Sequence, residues 1–232
     1  MKKVLASAIA LGMLAWSGNA MALLIDFTDE TKYGAADGST SYSYAESPYL
    51  TVGLESEGGA LTFNGGAGEA PGAIQIGDTW LAGEGDGLGI RSRAWFDEHD
   101  EVGDHLFRPD EKLTVTLSPK VLSVNEIYFL DMFPDQGFLD RTDRAIITYN
   151  YVDGTWDDAT VYAGLATEFG TLSIGHNAEN VLSVEFESGS LLRDFAVAGM
   201  DVDPVPEPAT MLLFGSGLVG LAGARRRKAA QK

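Results

Sequence analysis

The 232 residues hold no cysteine, 34 acidic side chains and 16 basic ones. The missing thiol excludes disulfide staples, thiolate metal sites and cysteine nucleophiles, so stability has to come from a packed core. Seven of the 16 basic residues lie before Leu23 or after Pro208, which leaves residues 23–208 with nine against all 34 acids, a net of −25. A field of that sign repels nucleic acid and anionic lipid, attracts divalent cations and keeps the chain soluble.

The N-terminus opens with Lys2 and Lys3, followed by an apolar run over residues 4–16 and the small-x-small triplet Ala20-Met21-Ala22. That order of charge, apolar run and small residues is a secretory signal peptide over residues 1–22, cut after Ala22 by signal peptidase. The run is short and breaks at Ser17, Gly18 and Asn19, which speaks against an uncleaved helix.

Residues 23–204 then read as one ectodomain of strands. Alternation of apolar and polar positions predicts strands at 50–54 (LTVGL), 113–117 (LTVTL), 182–186 (LSVEF) and 145–151, where Ile147, Tyr149 and Tyr151 share a face. Between residues 121 and 131 the apolar parity switches around Asn125-Glu126, which predicts a bulge. Further strands are expected at 23–27, 60–63, 73–76, 89–91, 160–163 and 171–174, with a final one at 191–202. Gly58-Gly59, Pro71-Gly72, Pro119-Lys120, Asp153-Gly154 and Ser188-Gly189 punctuate these runs. Asp153-Gly154, between Tyr151 and Trp156, marks a hairpin tip. The low-complexity stretch 34–44 (GAADGSTSYSY) reads as an exposed loop. No segment of the ectodomain keeps helical periodicity beyond two turns. Many short strands with frequent glycine predict an all-β fold, an antiparallel β-sandwich of jelly-roll type.

Asp203, Pro204 and Val205 form a short linker into the last segment, residues 205–232. It contains Pro206-Glu207-Pro208, an uncharged apolar run at 211–224, and then Arg225, Arg226, Arg227 and Lys228. The prolines fix φ and cannot donate to a sheet, so they hold Glu207 in extended backbone. The apolar run satisfies its backbone in lipid only as a single helix. The four cations resist translocation and orient that helix with its C-terminal side in the cytoplasm. Fourteen residues reach about 21 Å, short of a ~30 Å hydrocarbon core, which suits transient retention at the inner membrane better than a permanent anchor.

In these three parts the tail resembles the PEP-CTERM sorting signal. The resemblance implies that an exosortase, a membrane-embedded cysteine transpeptidase, recognises Pro206, Glu207 and Pro208. It would cleave nearby and pass the ectodomain to the cell surface or extracellular space. Ectodomains of PEP-CTERM proteins are also similar at Gly87-Leu88-Gly89-Ile90, at an acidic loop with Asp97-Glu98, and at a strand like 112–117.

Within the ectodomain the densest set of ligand-type side chains is Asp97, Glu98, Asp100, Glu101 and Asp104. Carboxylates crowded in a loop converge on Ca²⁺, which takes six to eight oxygens in irregular geometry, and Glu84 and Asp86 would add to them if their loop folds nearby. The spacing is not that of an EF-hand loop. The competing reading is a solvated acidic loop, and both stay open, so a structural Ca²⁺ is the one cofactor under consideration. His99 and His105 stand six apart without a helical relation, and His176 is remote. They read as surface histidines rather than Zn²⁺ ligands.

Among Trp80, Trp95, Trp156, Tyr149, Tyr151 and Tyr162, core packing accounts for most. Trp156, beside Asp157 and Asp158 at the hairpin tip, is the best placed for stacking on a sugar ring. Carboxylate pairs are too abundant among 34 acids to single out a glycosidase pair, and no Gly-x-Ser-x-Gly elbow occurs. The reading is therefore an exported, non-enzymatic surface or matrix protein processed by an exosortase. Two alternatives stand beside it: a Ca²⁺-dependent carbohydrate-binding module of the extracellular polymer, and a secreted polysaccharide hydrolase.

Overall fold

Alternating residues build most of the strands where the sequence places them. The computed structural model describes residues 22–63, 74–76, 78–83, 87–91, 102, 111–133, 142–163, 170–188, 195–205, 215 and 217. The strands are β1 (Leu23–Asp26), β2 (Ser41–Ser47), β3 (Leu50–Glu57), β4 (Ala60–Phe63), β5 (Ile74–Ile76), β6 (Thr79–Leu81), β7 (Leu88–Arg91), β8 (Lys112–Ser118), β9 (Val121–Leu130), β10 (Arg144–Tyr151), β11 (Trp156–Tyr162), β12 (Leu172–Glu179), β13 (Val181–Ser188) and β14 (Ala196–Pro204). One four-residue helix, α1 (Glu30–Tyr33), follows β1.

Two six-stranded sheets face each other. The first runs β12-β9-β14-β7-β4, with β1 also on β14, and the second runs β11-β10-β13-β8-β3-β2. All the pairings are antiparallel. From β7 onward the chain steps between sheets at every connection except the β10–β11 hairpin. The resulting orders, β7-β14-β9-β12 and β8-β13-β10-β11, are those of an eight-stranded jelly roll. The N-terminal strands extend this wrap: β4 continues one sheet beyond β7, and β3 and β2 continue the other beyond β8.

Inward residues of both sheets form one core. In β8, Leu113, Val115 and Leu117 are buried while Thr116 is exposed, and in β10, Ala145, Ile147 and Tyr149 are buried. Phe129 meets Phe186 of the opposite sheet edge to face at 6.1 Å, and Phe195 at 5.6 Å. The first sheet is also covered on its outer side. The β5–β6 hairpin lays Ile76 and Leu81 over Tyr128, Leu130, Ala196 and Ala198.

β14 has the most demanding position, because β1 and β7 share one of its edges end to end. β1 pairs with Gly199 to Val202, and β7 meets Val197. The junction depends on glycine. Gly87 enters β7 with φ +104°, and a Cβ there would lie 2.6 Å from the Val197 carbonyl oxygen; a Cβ on Gly199 would lie 2.7 Å from that of Ile25. Buried Asp26 ties the junction to the outer hairpin. Its carboxylate accepts from the Thr28 amide at 2.9 Å, the Thr28 hydroxyl at 2.6 Å and the Ala82 amide at 2.7 Å.

Four expectations need correction. Residues 41–44 are not loop: they open β2, where Tyr42 and Tyr44 turn inward and pack against buried Tyr33. Serine–tyrosine alternation is a period-two pattern, and low complexity disguised it. Leu182 does not join the core with Val184 and Phe186. Opposite Asn150 and Tyr151 the β13 register skips it, and this extra residue is left facing solvent. The final strand is described from Ala196 and continues past Val202 to Pro204, so Asp203 and Pro204 pair with Ser123 and Val121 rather than forming a linker. Finally, β11 starts at Trp156 and β12 ends at Glu179, both beyond the predicted spans. The bulge in β9 falls where parity placed it: Glu126 and Val124 pair with Asp201 and Val202, and Asn125 is the extra residue.

Candidate functional site

The antiparallel register puts several features at one end of the sandwich. β14 ends at Pro204 beside the start of β9, and β1 begins at Leu23 beside Val202. The two ends of the domain thus leave from adjacent strands, about 4.8 Å apart. Pro204 lies past the start of β1, so its missing N–H costs no ladder bond on that side.

The same end carries the β2–β3, β8–β9, β10–β11 and β12–β13 turns. Between the last three lies a groove of about 580 Å³, lined by Lys120, Tyr151, Asp153, His176, Asn177 and Asn180 among others. Each turn is locked by local bonds. The Tyr151 amide donates to the Thr155 carbonyl at 2.9 Å, and Gly154 takes φ +82° at the tip. Asp153 accepts from the Thr155 amide at 2.9 Å and from its hydroxyl at 2.6 Å, bonds that hold its carboxyl below the usual aspartate range. The Val152 amide donates to the Asn180 carbonyl at 3.1 Å, and Lys120 Nζ donates to Asn180 Oδ1 at 3.1 Å. One backbone bond thus joins the β10–β11 and β12–β13 turns, and one side-chain bond joins β12–β13 to β8–β9.

At its inner end His176 stacks flat on Tyr149, with ring centroids 4.5 Å apart and planes 7° apart, and His176 Nε2 lies 3.8 Å from Asp157 Oδ2. Burial, then Tyr151 and Asp157, push the Tyr149 phenol up; burial, Asp157 and Asp153 push up Tyr151. Both phenols are therefore neutral at physiological pH. The arrangement offers amide, hydroxyl, carboxylate and ammonium groups around a slot, with the Tyr151 ring on its wall.

The sequence-based site residues fare unequally. Trp156 is described, 65% exposed, and opens β11 directly after the hairpin tip. Trp80 and Tyr162 are exposed as well, but on other parts of the surface. Tyr149 is buried. Asp97, Glu98, Asp100, Glu101 and Asp104 lie outside the described residues, as do His99, His105, Glu84, Asp86 and Trp95. Within that loop Val102 is described: it is buried, and its amide donates to the Phe195 carbonyl at 2.7 Å, at the end opposite the groove. Among the described residues no three acidic or histidine side chains gather as metal ligands. Residues 1–21 of the signal peptide, Pro206, Glu207, Pro208, the run 211–224 apart from Gly215 and Gly217, and Arg225 to Lys228 also lie outside them. No helix among the described residues is long and apolar enough to cross a membrane. Spacing alone gave His176 no partner. Its parity with Ile174 on β12 was the available signal that it points between the sheets.

In sequence the central strand β14 is followed at once by a Pro-rich, apolar and basic C-terminal segment, the layout of a domain joined to a sorting tail. Here that tail is the PEP-CTERM protein-sorting motif, matched over residues 204–228. The motif begins on the last residue of β14. It implies an exported protein, held at the membrane by its C-terminus and then processed by an exosortase. Neither a curated protein nor a solved structure matches the chain.

Proposed function

We propose that this chain is a non-enzymatic structural or adhesive component of the cell surface or extracellular matrix. Signal peptidase removes residues 1–22, and an exosortase cuts beside Pro206-Glu207-Pro208. The observation that carries this reading is the sorting motif abutting β14 with no intervening linker. Such a junction places the recognised residues within a short reach of a folded domain whose other terminus lies alongside. The decisive test is intact mass spectrometry of native material and of Glu207→Ala. We expect a mature chain that begins near Leu23 and ends near residue 208, and an uncut, membrane-bound Glu207→Ala. Normal trimming of that variant would remove Glu207 from the recognition step.

A second, narrower reading is favoured by the groove and Trp156. The β10–β11 hairpin supplies Tyr151, Val152, Asp153 and Thr155 to the groove and carries Trp156 just outside it, and the slot's volume falls within the range typical of small-ligand sites. Side chains that donate and accept in several directions, with aromatic rings beside them, suit a neutral sugar of the extracellular polymer. The −25 charge disfavours an anionic one. Calorimetry against neutral and acidic polysaccharides, with and without EDTA, checks this. Heat with a neutral polymer, lost in Trp156→Ala, is the expected outcome, and its absence ends the sugar reading. Loss of that heat in EDTA would bring in the Ca²⁺ loop at Asp97 to Asp104. Turnover of any polymer would overturn the non-enzymatic assignment in favour of the hydrolase.

A further inference from the structure

Seven large apolar side chains stand exposed among the described residues, and four of them, Tyr49, Val152, Trp156 and Leu182, fall at the tail-bearing end. Tyr49 tips the β2–β3 turn, Val152 and Trp156 flank the β10–β11 tip, and Leu182 is the residue skipped at the start of β13. Their exposures are 48%, 45%, 65% and 40%. In strand order they run from one edge of the second sheet to the other, a row about 24 Å long at ordinary strand spacing. Tyr49 and Val152 lie in turns, Leu182 at a bulge and Trp156 at the exposed start of β11, positions where a polar residue would serve.

The row's neighbours decide what it faces. Five residues, 206–210, separate Val205 from the apolar run that starts at Met211, a span of at most about 21 Å when extended. The headgroup layer takes up roughly 5–8 Å of that on its side of the bilayer. A domain held so closely by β14, with its other terminus on the adjacent strand, has to turn this end toward the membrane. Tryptophan and tyrosine partition to the headgroup level, where the ring is apolar and its polar edge stays wet. Asp153, Asp157, Asp158 and Glu179 lie beside the row, with Lys120 the cation near them among the described residues, which favours a zwitterionic headgroup surface over an anionic one.

We infer that, while the tail is in the membrane, the Tyr49–Leu182–Val152–Trp156 row rests in the headgroup layer and fixes the domain upright on its tether. This rests on the anchoring implied by the sorting motif, not on the sugar reading. The docked end keeps the groove against the lipid, and cutting the tail frees it. The row also fixes the height at which the cleavage region is offered to the processing enzyme.

The test uses the full chain reconstituted in phosphatidylcholine vesicles, with amide hydrogen exchange as the readout. Residues 49, 152, 156 and 182 are expected to exchange several-fold more slowly in vesicles than in chain released from the tail by cleavage, while the β5–β6 hairpin is unchanged. Bromine-labelled lipid should quench the Trp156 emission, read as the difference between the parent and Trp156→Phe. Adding phosphatidylglycerol should weaken both effects. A chain that floats with the vesicles yet shows equal exchange and no quenching at these positions overturns the inference and leaves the anchoring intact. A chain that does not float overturns the anchoring and this inference with it.

Discussion

The two sheets of the sandwich differ in what covers their outer faces. The first is buried on both sides over half its length, where β5–β6 closes on Tyr128, Leu130, Ala196 and Ala198. Away from Trp156 and Leu182 at the tail-bearing end, the outer face of the second is mostly polar. On it Lys112 Nζ meets Glu187 at 2.8 Å and Glu185 at 3.1 Å, and their hydrogen bonds, Glu187 first, raise the lysine's pKa. Asn150 donates to Glu185 at 2.9 Å and Thr148 to Asp158 at 2.8 Å. A face covered by apolar atoms contributes by exclusion of water, whereas exposed ion pairs and hydrogen bonds exchange one set of partners for another at little net gain. The first sheet should therefore be the one that substitution damages.

The sharpest contrast is expected at Leu81, which is 1% exposed beneath the outer hairpin. Leu81→Ala should cost about 2–5 kcal/mol in urea unfolding, and a loss under half a kilocalorie would mean that the hairpin is an ornament. Next comes the strand junction. Gly199→Ala forces a methyl against the Ile25 carbonyl and should cost about 1–3 kcal/mol, with faster hydrogen exchange in β1. Uniform exchange across the sheet would count against that mechanism.

Asp201 tests the uncovered half of the same sheet by pH. Burial, followed by Asp203 and Glu126, raises its carboxyl pKa above the ordinary aspartate value. Between those two values the folded state binds more protons than the unfolded one, so stability falls as pH rises through that window. Asp201→Asn should flatten that slope and raise the urea midpoint at neutral pH. A parallel, unshifted pH profile would remove Asp201 from the account. The smallest effect belongs to the second sheet: exposed Thr116→Ala should stay within about 0.5 kcal/mol, and a larger change would show that this face packs against something in solution.

The same difference explains which elements were legible beforehand. Strands with one wet face announce themselves by alternation, as LTVTL in β8 and residues 145–151 in β10 do. Where both faces are buried, alternation disappears. Residues 195–200, FAVAGM, are apolar throughout, and only their length and the flanking turns suggest a strand. β6 leaves no mark in the sequence pattern because three residues, one of them the exposed Trp80, carry no period; what makes them a strand is the sheet surface they cover. Outside the groove, on the outer face of the second sheet opposite Asn150, Trp156 is legible from the hairpin signal beside it. His176 over Tyr149 is not, because it joins β12 to β10 across the two sheets.

Local chemistry alone therefore determined the all-β class, the hairpin at Asp153-Gly154, the bulge at Asn125 and the sorting tail, since each depends on residues within a few positions of one another. Strand order, the pairing of β1 with β14 and the gathering of three turns around one groove were decided only by tertiary packing. Closing the wrap brings together residues that no local spacing relates, and the energy that selects their register comes from the shared core.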